Sequence, residues 1–233
     1  MSSFPTPSTR KAEDLRRRVA GCRRCPRLRA YAGMVAMERP AKFAGSSFWG
    51  RPVSGFGDIS GRLLIIGLAP ARTGALRTGR IFTGDSSSAF LVAALHRAGF
   101  ANQPRSDSID DGLVYRDCYL TAAVKCAPPG DKPKLEEFAN CAPYMDEEIA
   151  LMGNLRLVLA LGAFAFKAYL RHLARRGVSV RGLKFAHGEV YRFPGVPSLY
   201  ASYHPSPRNT NTGKLTPGML AAVLDRVKRE FAT

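Results

Sequence analysis

Acidic residues are scarce in this chain: 18 Asp and Glu stand against 35 Lys and Arg, which leaves a formal charge of +17 at pH 7. So large an excess of cations favours a polyanionic partner, and nucleic acid is the simplest one. An arginine-rich codon usage would produce the same composition without any partner. Composition by itself leaves both explanations open.

Long apolar runs are also missing. The best candidate for a membrane span, residues 155–170, is interrupted by Gly162 and Lys167. The first residues, MSSFPTPSTRK, contain no apolar signal core, so we expect neither secretion nor a membrane partner. A mitochondrial leader is the alternative, but Glu13, Asp14 and a nearby CxxC argue against a discarded segment.

Nucleotide-binding fingerprints are absent as well. Neither GxxxxGK[ST] nor GxGxxG occurs, so a nucleoside-triphosphate site is not expected. Residues 67–85, GLAPARTGALRTGRIFTGD, form a glycine-rich loop instead. Its glycines and the turn at Pro70 allow the backbone to approach a ligand closely.

Four short apolar runs, each followed by a helical pattern, organise the rest of the chain. The runs are residues 63–69, 118–124, 155–162 and 198–203, and the helical patterns are residues 86–100, 134–152, 163–177 and 216–231. Continuous apolar runs are typical of strands covered on both faces. The alternation predicts an α/β protein, a three-layer α/β/α sandwich around a central four-stranded parallel sheet. Residues 188–195 suggest an added hairpin arm.

The domain organisation is expected to be simple. Residues 1–12 read as a flexible tail, and residues 13–233 as a single domain. Within that domain, residues 13–61 hold a basic helix, a CxxC and a Gly/Pro-rich loop. The α/β core is expected over residues 62–233.

In α/β folds of this kind, functional loops leave the carboxyl ends of the strands. The first such loop ends with Phe82 and Asp85. An aromatic face beside an acid could stack a base and orient a water. Alternatively, Phe82 belongs to the core and Asp85 caps the helix that starts at Ser86.

The last of these loops begins with His204, directly after a buried strand. Pro205 and Pro207 stiffen the loop, and Arg208 and Asn209 lie at its tip. An imidazole there could donate a hydrogen bond to charge that develops on a leaving group. A purely structural histidine is the alternative. The other histidines have weaker cases: His96 and His172 are expected to be solvated on helices, and His187 is left open.

Cysteine is sparse, and without a secretion signal disulfides are not expected. The five residues are Cys22, Cys25, Cys118, Cys126 and Cys141. Cys22 and Cys25 form the CxxC, and with Cys126 and Cys141 they make four thiolates, enough for zinc or a [4Fe–4S] cluster. The missing second CxxC favours iron–sulfur, but zinc stays open. Cys118 lies inside an apolar run and is expected to be buried and inert.

Taken together, these motifs resemble a known family. GLAPARTGALRTGRIFTGD, KCAPP with its downstream cysteine, and HPSPRNTNTG are similar to family 5 of the uracil-DNA glycosylase superfamily, the type-b enzymes of bacteria and archaea. The resemblance covers nearly the whole chain. It implies a four-stranded parallel sheet and hydrolysis of the N-glycosidic bond of a flipped, deaminated base. The expected setting is a bacterial cytoplasm, at the nucleoid, with a monomer acting on double-stranded DNA.

The resemblance also assigns roles to residues. It implies a [4Fe–4S] cluster on the four cysteines of the proposed set, structural or DNA-positioning in function. Phe82 matches the aromatic residue that stacks on the base, and His204 the histidine that stabilises the departing base anion. Arg208 and Asn209 belong to the loop that enters the minor groove. The substrate-binding backbone is expected at Gly67, Leu68 and Ala69.

Two positions depart from related families. Others place Asn or an acid directly after the first strand to activate water, but GLAPA offers no polar side chain there. Asp85 is therefore our candidate activator. Relatives often carry Asn where this chain has Ala122, so discrimination is expected to weaken. Hypoxanthine, xanthine and ethenocytosine would then be accepted beside uracil. The competing hypothesis is a non-catalytic iron–sulfur or zinc module that binds nucleic acid.

Overall fold

The computed structural model describes residues 7–232. Its helices are α1 (Pro7–Ala20), α2 (Pro26–Glu38), α3 (Ala75–Thr78), α4 (Ser86–Arg97), α5 (Leu135–Leu151), α6 (Ala163–Arg175), α7 (Pro207–Thr210) and α8 (Pro217–Ala232). Its strands are β1 (Phe56–Gly57), β2 (Leu63–Gly67), β3 (Cys118–Ala122), β4 (Leu157–Leu161), β5 (Val190–Phe193) and β6 (Val196–Ser202). Short 3-10 turns occur at Ala41–Phe43 and Pro129–Asp131. No helix within residues 7–232 is long and apolar enough to cross a membrane.

The strands form one mixed sheet in the order β1-β3-β2-β4-β6-β5. The prediction of a four-stranded parallel sheet is therefore wrong in strand number. The four predicted strands are β3, β2, β4 and β6, which pair in parallel, and an antiparallel strand is added at each edge. The two-residue β1 is too short to leave a periodic pattern. β5 is the predicted hairpin arm, and it pairs with β6.

Helices cover both faces of the sheet because alternate residues of each central strand point to opposite sides. In β2, Leu63 and Ile65 pack into one apolar cluster with residues of α4 and α8. Leu64 and Ile66 pack into another with residues of α5 and α6. All five residues of β2 are buried, as the continuous apolar run predicts.

The N-terminal segment differs from its prediction. Helix α1 starts at Pro7, so residues 7–12 are helical, and residues 1–6 of the predicted tail lie outside the described residues. Helix α2 was not predicted. Its buried face, Leu28, Ala32 and Val35, has the i, i+4, i+7 spacing that could have revealed it. The division near residue 62 stays a prediction.

A charged pair lies fully inside the protein between β3 and α5. The side chains of Lys125 and Glu148 are 1% and 0% exposed, and Lys125 Nζ lies 2.6 Å from Glu148 Oε2. Thr121 Oγ1 donates to the same carboxylate oxygen and accepts from Lys125 Nζ. The other oxygen accepts from the Gly55 amide at 2.9 Å. Both charges are therefore paired and hydrogen-bonded, which is what makes their burial tolerable.

We expect Lys125→Ala to lower the free energy of unfolding by about 3–5 kcal/mol, because it leaves the Glu148 carboxylate buried without a cation. Urea denaturation measures this loss. Lys132→Ala, which removes an exposed lysine from the same loop, is the matched control and should change stability by less than about 0.5 kcal/mol. Equal midpoints for the two variants would contradict a stabilising role for the buried pair.

Candidate active site

The predicted site residues gather at the carboxyl edge of the four parallel strands. Gly67 ends β2 and lies opposite Ala122, which ends β3. Gly162 follows β4, and its amide donates to Ser202 O at the end of β6, two residues before His204. The chain segments that carry the loop motifs therefore meet, although they lie far apart in sequence.

Phe82 closes over this edge. A Cβ added to Gly67 would lie 2.7 Å from Phe82 Cζ, so only glycine allows the ring so close to the strand end. Phe82 has φ of 49°, an unfavourable conformation for an aromatic residue and one that is typical of functional sites. The ring is 7% exposed and belongs to the core cluster of that face. The Phe82 side chain therefore packs in the core, as the alternative interpretation expected.

His204 lies beside Phe82, with ring centroids 6.3 Å apart and planes tilted by 30°. A Cβ on Gly162 would lie 3.3 Å from His204 Cβ, a tight contact, and the φ of 91° at this position favours glycine as well. Burial lowers the pKa of His204 to about 4, which leaves the imidazole neutral at pH 7. A neutral imidazole keeps one N–H donor. Helix α6 starts immediately after Gly162, and its amino end favours negative charge nearby.

The segment after His204 is held by its own backbone. Asn209 Nδ2 donates to the His204 carbonyl at 2.8 Å, and the Asn209 carbonyl accepts from the Leu215 amide. Asn209 therefore positions the histidine. Arg208 is exposed at the tip, where it was predicted to meet the minor groove. The substrate-binding roles of both residues stay predictions.

The remaining histidines divide into three cases. His187, which the sequence left open, accepts a hydrogen bond from the Tyr203 amide at Nδ1 and stacks on the Tyr203 ring at 5.0 Å. It thus braces the residue next to His204. The prediction that His172 is solvated is wrong, because its side chain is 6% exposed and pairs with Asp146 at 2.7 Å. His96 is exposed, as predicted.

Asp85 is the N-cap of α4. Its Oδ1 accepts from the Ser88 amide at 2.8 Å, and Ser88 Oγ accepts from the Asp85 amide, which completes a capping box. The capping alternative is thus confirmed, while a role in water activation stays a prediction. A Cβ on Gly74 would lie 1.9 Å from Asp85 Oδ2, so this glycine makes room for the carboxylate. Desolvation raises the pKa of Asp85, and the charge of Arg77 opposes the rise.

The loop backbone after β2 offers donors. The carbonyls of Gly67 and Leu68 accept from the amides of Ala123 and Val124, each at 3.0 Å. Within the described residues, the amides of Leu68 and Ala69 donate to no acceptor. These two N–H groups, rather than the carbonyls, are available to a ligand. The sequence could identify the segment but not which atoms remain free.

The four cysteines of the proposed set converge. Cys25, Cys126 and Cys141 share one apolar cluster, and Cys22 is half-buried against Tyr144. Burial, followed by the nearby thiols, raises the pKa of Cys126 to about 12. Burial likewise raises the pKa of Cys141 to about 11, although Cys141 Sγ accepts from the Lys125 amide at 3.4 Å. With pKa values this far above 7, both groups are protonated, neutral thiols at pH 7.

Within residues 7–232, no group of three or more His, Cys, Asp or Glu side chains is arranged to hold a metal ion. Cys118 is 0% exposed in β3, and burial raises the pKa of its thiol well above the ordinary value, as expected for an inert residue.

Two residues of the site were not anticipated from the sequence, Gly74 and Gly162. Each leaves room for a functional side chain that comes from a distant segment, Asp85 or His204. A sequence contains no local signal for such a contact. The positive φ of Gly162, 91°, is visible only in the fold.

Known proteins resemble this chain over most of its length. The model of the uracil DNA glycosylase superfamily matches residues 54–228. The Type-5 uracil-DNA glycosylase of Pyrobaculum aerophilum is 46% identical over 92% of this chain and 91% of its own length. That of Thermus thermophilus is 46% identical over 91% of this chain and 94% of its own length. A Type-4 uracil-DNA glycosylase from Pyrobaculum aerophilum is 30% identical over 66% of this chain and 71% of its own length.

We expect the His204 imidazole to titrate near pH 4 in the folded protein, because its surroundings disfavour the charged form. The unfolded chain takes up this proton near pH 6.5, so stability attributable to His204 should fall as the pH drops from about 6.5 towards 4. Long-range 1H–15N correlation spectra, assigned with His204→Gln, measure the midpoint. A midpoint near 6.5 would contradict the desolvated setting.

Proposed function

The chain belongs to the uracil DNA glycosylase superfamily, and from this membership we propose that it hydrolyses the N-glycosidic bond between uracil and deoxyribose in DNA. The products are free uracil and an abasic site. The observation that carries the proposal is the meeting of Phe82 and His204 at the carboxyl edge of the parallel strands, over Gly67.

Base binding follows from this geometry. The extruded base stacks on the Phe82 ring, which a strained backbone and Gly67 hold at the strand ends. The amides of Leu68 and Ala69 donate to the base edge, because their protein acceptors are absent among the described residues. Extrusion costs least at mispaired positions of double-stranded DNA, which itself selects deaminated bases.

Bond cleavage requires that opposite charges be stabilised on the two fragments. The sugar develops oxocarbenium character, which the phosphates of the bound strand favour. The base leaves as an anion, to which His204 donates a hydrogen bond from a neutral imidazole. Asn209 holds the His204 backbone, so the ring is pre-positioned rather than recruited during the reaction.

Water activation is assigned to Asp85. Burial raises the pKa of this carboxyl, which makes the carboxylate a better base than an exposed aspartate. The Ser88 amide and Arg77 favour its ionised form. Oδ2, the oxygen beside Gly74, is left by the cap to accept a proton from water.

Substrate breadth is proposed from Ala122. This residue lies opposite Gly67 at the site, is 1% exposed, and has no group that could read the polar edge of a base. Discrimination then rests on stacking and on backbone donors, which many bases can satisfy. Hypoxanthine, xanthine and ethenocytosine are therefore proposed substrates beside uracil.

Cys22, Cys25, Cys126 and Cys141, whose thiols lie near enough to raise one another's pKa, would hold a [4Fe–4S] cluster. Bound there, the cluster would supply covalent links between the segment around α1 and α2 and the segment after β3, with no part in bond cleavage. Asn140 Nδ2 lies 3.5 Å from Cys25 Sγ, a donor of the kind that stabilises cluster thiolates.

The setting of the reaction is proposed from charge. A net charge of +17 supplies salt-dependent affinity for double-stranded DNA without sequence preference. We propose that the protein acts as a monomer on nucleoid DNA in a bacterial cytoplasm.

Incubation with a duplex containing one G·U pair, followed by alkali, should cut the strand at the uracil position. Asp85→Asn should retain the cap, because Asn caps as well as Asp, but lower turnover by roughly 10²-fold or more. Asp85→Ala should also lose about 1 kcal/mol of stability. Duplexes with hypoxanthine, xanthine or ethenocytosine test breadth in the same assay.

Each outcome of this assay distinguishes between two of the hypotheses. Binding without scission would favour the alternative, a non-catalytic nucleic-acid-binding module. Wild-type turnover in Asp85→Asn would assign Asp85 to capping alone.

Protein purified without oxygen should be brown and contain about four irons per chain. Cys126→Ser should lose the colour and the iron. Cys118→Ala, which changes a buried cysteine outside the set, should keep both. Colourless, zinc-loaded wild-type protein under these conditions would contradict the cluster.

A further inference from the structure

A cavity of about 490 Å³ opens beside the amino end of α4, and Asp85 is one of its lining residues. It is lined by three separate parts of the chain, namely the 3-10 turn Ala41–Phe43, helix α3 with the start of α4, and the loop at residues 105–107. We call it the α4 cavity and define it by Lys42, Arg77, Asp85, Ser86, Arg105 and Asp107.

Cations dominate the α4 cavity. Within residues 7–232, neither Lys42 nor Arg77 forms a salt bridge. Arg105 pairs with Asp107 at 2.9 Å, but both side chains are more than half exposed, so the pair is easily exchanged for another anion. Asp85 contributes one negative charge, with Oδ1 in the helix cap and Oδ2 beside Gly74. Three cations against two carboxylates leave the lining with a net positive charge.

An aromatic ring holds two of these cations in place. The Arg77 guanidinium carbon lies 4.5 Å from the centroid of the Phe43 ring, and Lys42 Nζ lies 5.7 Å from the same centroid. Cation–π contacts position cations without cancelling their charge. Arg77 is fixed further because it donates to the carbonyls of Thr73 and Gly84. The cations are thus held in position before any ligand binds.

The position of the cavity identifies what it receives. Asp85 belongs both to the cavity and to the proposed catalytic group, and Gly84 lies two residues from Phe82. Ser86, the first residue of α4, adds the positive end of a twelve-residue helix. A phosphate that entered here would lie beside the chain segment that carries Phe82.

We propose that the α4 cavity binds one phosphodiester of the DNA strand that carries the extruded base, next to the scissile nucleotide. Lys42 and Arg77 supply the charge, and Arg105 exchanges Asp107 for the phosphate. The inference rests on the proposed function in that the ligand is DNA. It adds a specific phosphate subsite, which grips the strand beside the site of cleavage.

The test uses the full chain and a duplex with one 2′-fluoro-deoxyuridine opposite guanine, whose glycosidic bond resists hydrolysis. Single phosphates near that nucleotide are replaced in turn by neutral methylphosphonates. Wild-type protein should lose about fivefold or more in affinity at one linkage, whereas Lys42→Ala should lose less than about twofold at that linkage. Lys42→Ala should also lower the slope of log K against log salt concentration by about 0.9.

Lys228→Ala is the matched control. Lys228 is exposed on α8, one turn before Phe231, which contacts Arg62 at the amino end of β2 and thus at the opposite edge of the sheet. This variant should respond to every methylphosphonate as the wild type does.

The proposal would be overturned if Lys42→Ala responded to every methylphosphonate as the wild type does. Competition by inorganic phosphate without a linkage-specific effect would assign the cavity to a free anion and overturn it equally. Because the measurement is binding to uncleaved DNA, it is independent of turnover. If Lys42→Ala removed the affinity loss at one linkage but the protein released no uracil, the proposed reaction would be refuted and the subsite would not. If the protein released uracil but Lys42→Ala left the affinity loss at every linkage unchanged, only the subsite would be refuted.

Discussion

Parallel pairing of β3, β2, β4 and β6 is the constraint on which the site depends. Parallel strands end at the same edge of a sheet, so the loops that follow them must meet. The register sets Gly67 opposite Ala122 and joins Gly162 to the end of β6. Phe82 and His204 come from loops that are more than one hundred residues apart, yet this pairing brings them within ring contact.

Glycines then determine how closely the parts of the site approach. Gly67 admits Phe82, Gly162 admits His204, and Gly74 admits the Asp85 carboxylate. At each position a methyl group would meet the functional side chain or its Cβ closer than ordinary van der Waals contact allows. The geometry of the site thus depends on the missing side chains at these three positions as well as on the functional side chains.

The N-terminal segment is tied to the core by charge. Arg27 on α2 makes two hydrogen bonds of 2.8 Å to Glu137 on α5, whose side chain is 2% exposed. Lys125 connects the same region inward, because its amide donates to Cys141 while its side chain pairs with Glu148. One residue therefore links a cysteine of the proposed set to the buried charges under β3.

Periodicity and spacing were enough to predict the four central strands, the helices after them and the loops that carry Phe82, Asp85 and His204. These features are local, since a buried strand must be apolar and a loop at a strand end must be rich in turn formers. The edge strand β1, the burial of His172 and the α4 cavity depended on tertiary structure. Each arises from contacts between distant segments, and the sequence of any one segment does not specify such contacts.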